Sequence, residues 1–170
     1  MKWRIVDSCG GNYYCWVLED WVKTEFDFDE LEINLFSEDS GDMSQFDLAF
    51  IEETVSKLDY YFDKAIDYIK SELRSNPDQF KLTEDELAHI KELAANNKYI
   101  SIPDNKVERY ANVPAYEFPV NQPNVMFYPG ELWLIRFAEA DFPAVNYGHG
   151  IALFFNKEGE ITDFEILPEE

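Results

Sequence analysis

One apolar stripe, Ile51, Val55, Leu58, Phe62, Ile66, Ile69 and Leu73, recurs at three- and four-residue steps through the middle of the chain. That spacing puts every member on one face of an α-helix and dictates a long amphipathic element. On either side of it the period changes to two. Leu31-Glu32-Ile33-Asn34-Leu35 alternates strictly, as a half-buried strand does. Trp3–Val6 and Tyr13–Leu18 before the stripe are rich in the aromatic and β-branched residues that favour strands. So are Val125–Tyr128, Leu132–Phe137, Ile151–Phe155 and Ile161–Ile166 after it. Strands, then helices, then strands again indicate an α+β fold. The expectation is a single domain over residues 1–170 with a largely antiparallel sheet of about six to seven strands. Two helices, about 44–75 and about 83–97, pack on one face, in the order β-β-β-α-α-β-β-β-β.

Local signals place the boundaries. Ser44 is positioned to cap the first helix, with Asp47 at capping-box spacing and Met43 with Leu48 as a hydrophobic staple. Ser75-Asn76-Pro77 ends that helix. The second opens on Thr83 and Glu86, stapled by Leu82 and Leu87, and closes near Ala95-Asn96-Asn97. Cys9-Gly10-Gly11-Asn12 suits a turn that needs positive φ, and Asn156–Glu160 suits a hairpin loop. Between Tyr99 and Pro123, the prolines at 103, 114, 119 and 123 break regular structure, leaving room for one short strand near Tyr116–Phe118.

Charge narrows the function classes. Thirty-five Asp and Glu against fourteen Lys and Arg give a formal charge of −21. With 46% hydrophobic residues the chain has ample material for a core, so this is not an acidic disordered tail. Nucleic acids and anionic membranes both call for clustered Lys and Arg, and no such cluster is present, so neither is an expected partner. The start, Met1 to Asp7, becomes polar too soon for a signal peptide, and a cytoplasmic protein is expected, as a monomer or weak dimer. In a reducing compartment Cys9 and Cys15 read as thiols rather than a disulfide.

No catalytic motif emerges. His149, in Tyr147-Gly148-His149-Gly150, has no nucleophile or orienting carboxylate beside it in sequence, and His89 lies on the second helix as a packing residue. No phosphate loop, nucleophile elbow or zinc-protease motif occurs. With thirty-five carboxylates available, no pair can be singled out as a hydrolytic acid and base.

The acidic residues are unevenly spread. Asp59, Asp63 and Asp67 stand at four-residue steps on one helical face, with Glu52 two turns before Asp59. Two further segments gather Asp27, Asp29 and Glu30, and Glu38, Asp39 and Asp42. A single ridge does not converge on a cation and neither segment follows the calcium-loop pattern, so no metal and no cofactor is expected. Phe26 and Phe28, set between carboxylates, are expected to face the core.

In size, acidity and strand–helix–strand layout the chain resembles immunity proteins of bacterial toxin–immunity systems. The run Gly150-Ile151-Ala152-Leu153-Phe154-Phe155, followed by Gly159-Glu160-Ile161, looks like small bacterial domains encoded near such toxins. The likeness is one of overall character and transfers no individual residue's role. It implies a non-enzymatic inhibitor that binds a basic toxin domain, most naturally a nuclease; the charge pattern, not the likeness, makes the acidic residues named above the expected contact. Two alternatives stand beside it. Ten Tyr, four Trp and fourteen Phe could line a small-molecule or enzymatic pocket between the sheet and the stretch Ile102–Pro123. A scaffold subunit would need the acidity only for solubility.

Overall fold

A computed structural model describes residues 1–6, 13–38, 41–130, 132–145 and 149–167. The expected glycine turn at Cys9–Asn12, together with Asp39, Tyr147 and Gly148, lies outside the described residues. The fold is α+β. Seven strands, β1 (Trp3–Val6), β2 (Tyr14–Leu18), β3 (Glu32–Ser37), β4 (Val120–Phe127), β5 (Trp133–Ala140), β6 (Ile151–Phe155) and β7 (Ile161–Ile166), form one sheet in sequence order. Neighbours pair antiparallel except β3 and β4, which run parallel. A parallel pair needs a crossover of a dozen or more residues. Here it carries three helices, α1 (Leu48–Val55), α2 (Leu58–Ser75) and α3 (Glu84–Asn96).

Six of the seven residues of the predicted stripe lie in the core, and Val55 packs half-buried against it. Leu58, Phe62, Ala65, Ile66, Ile69 and Leu73 of α2 are buried, together with Ile51 of α1. The ring of Tyr61 meets Trp133 edge-on at 4.8 Å, and Trp133 lies between Phe127 and Phe155 in stacked pairs at 5.6 and 4.3 Å. Its indole nitrogen donates to the Asn156 carbonyl oxygen at 3.0 Å, so the one polar atom of this buried ring is satisfied.

Three local expectations are corrected. The helix expected over about 44–75 is broken between Val55 and Leu58. The hydroxyls of Thr54 and Ser56 donate back to the carbonyls of Phe50 and Glu53, at 2.9 and 2.6 Å, in competition with the helical ladder. Ser44 does not cap: it lies in a short 3₁₀ turn, and its amide donates to the Asp42 carboxylate at 2.9 Å. The true cap is Asp47, which accepts from the Phe50 amide at 3.1 Å and from Lys157 of the β6–β7 hairpin at 3.2 Å. Those two donors, the amide first, hold its carboxyl below the usual range. The strand expected near Tyr116–Phe118 is instead a 3₁₀ turn, Ala115–Glu117.

Strand β4 begins at Val120, earlier than its apolar run suggests, and contains Pro123. Pairing with β3 starts only at Asn124, so Val120–Pro123 is edge backbone where a missing N–H is tolerated. At α3 the Thr83–Glu86 capping box forms as expected. No residue of α3 is buried: Leu87, Ile90 and Ala94 are half-buried on one face, and Leu93 is exposed. No helix among the described residues is long and apolar enough to cross a membrane.

Candidate functional site

The segment between β2 and β3 carries the first wall of the site. Its residues alternate in burial: Phe26 and Phe28 point inward, whereas Glu25, Asp27, Asp29 and Glu30 are exposed. The two phenyl rings stack at 5.2 Å with planes 4° apart. Both meet the buried Phe62 of α2 edge-on, at 5.7 and 5.1 Å. The rings face the core, as expected of an alternating segment, and this anchors a loop that belongs to no strand or helix.

Two clamps fix the loop further. Asp59 of α2 accepts from the Thr24 hydroxyl at 2.5 Å and from the Glu25 amide at 3.1 Å through each of its oxygens. At the other end the Asp29 amide donates to the Asn121 side-chain oxygen at 3.0 Å, and the Asn121 amide nitrogen donates to the Asp29 carboxylate at 2.5 Å. Two of the carboxylates picked out for a partner thus also hold the fold. Replacing Asp59 with Ala should speed amide exchange at Glu25 and Phe26 at least about tenfold while leaving the α2 amides protected. Unchanged exchange at both amides would show that the aromatic anchors alone hold the loop.

The second wall is the 3₁₀ turn at Ala115–Glu117 with Phe118, Pro119 and the start of β4, and the third is the end of β5. Between them runs a groove of about 490 Å³. Phe26, Phe28, the buried Phe118 and Val120 contribute its apolar surface. Asp27, Glu117, Glu139 and Asp141 contribute its carboxylates. Beside it lies a hollow of about 310 Å³ lined by Glu25, Phe26, Asp59, Asp63 and Tyr116. Phe26 and Tyr116 are common to both, so groove and hollow adjoin and together form an acidic depression. Seven carboxylates line it, and no Lys or Arg is among its lining residues. Lys70 approaches the Phe118 ring, 6.0 Å from its centroid, without lining the groove.

The acidic ridge on α2 is therefore divided. Asp59 and Asp63 border the depression, whereas Asp67 lines a separate hollow with Lys64, Tyr68, Glu160 and Ile161. Glu52 is exposed on α1. Glu30 lines a smaller recess with Glu32 and Arg136. Asp42 serves the 3₁₀ turn, where the Ser44 amide depresses its pKa. Glu38 is exposed just beyond β3 and, after burial itself, adds to the rise in the Tyr128 pKa, which Arg136 opposes. Asp39 lies outside the described residues. Of the ten carboxylates named from sequence, three (Asp27, Asp59 and Asp63) meet at the depression.

Sequence reasoning missed Tyr116, Glu117, Glu139 and Asp141. They follow no periodic signal; the pointers are the pocket expected between the sheet and Ile102–Pro123 and the pair Pro114 and Pro119, which bracket the turn that presents Tyr116. Cys15 is buried on β2 and takes no part in the depression. Among the described residues no group of three His, Cys, Asp or Glu is placed to hold a metal ion. Compared with protein-family models, curated proteins and solved structures, the chain matches none.

Proposed function

We propose that the chain is an acidic binding protein that neutralises a basic protein partner, acting as an immunity protein against a cognate toxin of nuclease type. One observation carries this reading: seven carboxylates rim one preformed depression with an aromatic floor and no lining cation. Carboxylates gathered in this way raise each other's electrostatic energy, and a cationic surface relieves it. The apolar floor supplies what charge alone lacks, a desolvated anchor point inside a polar rim. A nuclease attracts phosphate and so presents a positive field at its active site. An acidic face entering that field associates quickly and excludes nucleic acid by like charge. The remaining charge, within the −21 of the whole chain, adds steering at a distance.

The test is to immobilise the protein in a lysate of its native host and identify what salt releases. A basic protein encoded beside this gene, toxic when expressed alone and harmless when co-expressed, is the expected result. Its association rate should fall at least about tenfold between about 0.05 and 0.5 M salt. Association insensitive to salt would contradict the reading.

A second reading rests on the groove itself. It lies between the sheet and the proline-rich stretch, and its volume falls in the range of small-molecule sites, about 300–1,000 Å³. Its rim would select an organic cation.

A further inference from the structure

We propose that the groove receives an arginine side chain, in preference to lysine, from a loop or extended segment of the partner. This rests on the reading above that the partner is a basic protein, and adds the group that is recognised.

The lining asks for two properties at once. Phe26 and Phe28, stacked on each other and resting on the core, add apolar lining, and Tyr116, 72% exposed, stands at the junction of groove and hollow with its ring face accessible. A guanidinium is planar and weakly hydrated and stacks on such faces, whereas an ammonium is compact and strongly hydrated and loses more on leaving water. Asp27, Glu117 and Asp141 are exposed at the rim, where carboxylate pairs of oxygens match the guanidinium fork. The chain itself contains this arrangement elsewhere. The Arg109 guanidinium lies 4.8 Å from the centroid of the Tyr110 ring while bonding the Asp104 carboxylate at 2.8 Å.

The site is also built in advance. The Asp29–Asn121 and Asp59–Thr24 bonds pin the first wall from both ends, and the phenyl rings beneath it rest on Phe62. Little ordering is then left for binding to impose.

The probes are tetra-arginine amide and tetra-lysine amide, titrated by NMR into isotope-labelled full-length protein at about 0.15 M salt. Tetra-arginine should bind about tenfold more tightly, with amide shifts concentrated at Phe26, Asp27, Tyr116, Glu117 and Asp141. Two charge-matched variants locate the effect. Asp27→Asn with Glu117→Gln and Asp141→Asn should abolish the preference. Glu84→Gln with Asp85→Asn and Glu92→Gln, on the exposed face of α3, should retain it. Equal affinity for the two peptides, or an equal loss of preference in both variants, overturns the arginine site. Equal but salt-sensitive binding would leave a basic partner standing, whereas failure of both peptides to bind at low salt would remove both readings.

Discussion

Replacing Gly150 with Ala should destabilise the protein by about 2–5 kcal/mol, through strain in the left-handed region plus overpacking. Gly150 precedes β6 with φ at +73°, a conformation that side chains rarely adopt. A Cβ built there would sit 1.7 Å from the Phe137 carbonyl oxygen of β5 and 2.7 Å from its carbon. Both are backbone atoms in a paired strand, so neither can swing aside as a side chain would. The Gly150 carbonyl also accepts from the Leu167 amide at 3.0 Å, which ties the end of β7 to the same point. Relieving the clash therefore disturbs three strands. For a chain of this length the loss corresponds to a fall in Tm of about 4–20 °C. Gly130 supplies the control: its φ is +98° but nothing lies within 4 Å of its Cβ position. Gly130→Ala should show the strain without the collision and a distinctly smaller fall. Equal melting temperatures for the two variants would mean that β5 yields to the added methyl.

Phe62→Ala should cost about 3–5 kcal/mol, the usual range for deleting a buried phenyl ring. Phe62 is wholly buried and meets Phe26, Phe28 and Phe137 at 5.7, 5.1 and 6.3 Å. It is where the core touches the groove, so its loss should also act on the site. With the supporting ring gone, Phe26 and Phe28 can sink into the vacated volume, and the groove floor loses its shape. Chemical denaturation measures the first effect and amide exchange over residues 24–31 the second. A stability loss without faster exchange in that loop would show that the two clamps suffice to keep the groove formed.

The parts of this molecule that were legible in its sequence are those set by neighbours in the chain. Seven strands, the α2 stripe and the Thr83–Glu86 cap follow from β-propensity, from periodicity or from a three-residue spacing. The errors come from competition between equally local options. Ser44 and Asp47 both suit a cap, and Asp47 prevails where it gains Lys157 from a distant hairpin. The break after Val55 arises from hydroxyls that a hydrophobic pattern does not register. The depression was less legible, because its walls lie far apart in sequence and are joined by Asn121 reaching back 92 positions to Asp29. Carboxylates that look alike in sequence divide into those that brace the loop, such as Asp29 and Asp59, and those left facing solvent, such as Asp27 and Asp63. Only the assembled fold draws that line.

The acidic, aromatic-floored depression is the face we propose is offered to a basic protein. The most direct measurement is the association rate of that partner with three proteins: wild type, the groove variant Asp27→Asn with Glu117→Gln and Asp141→Asn, and the charge-matched α3 variant. The groove variant should associate at least about tenfold more slowly and with a shallower salt dependence, while the α3 variant stays close to wild type. Equal slowing in both variants would reduce the role of the carboxylates to net charge, and the depression would no longer be the binding face.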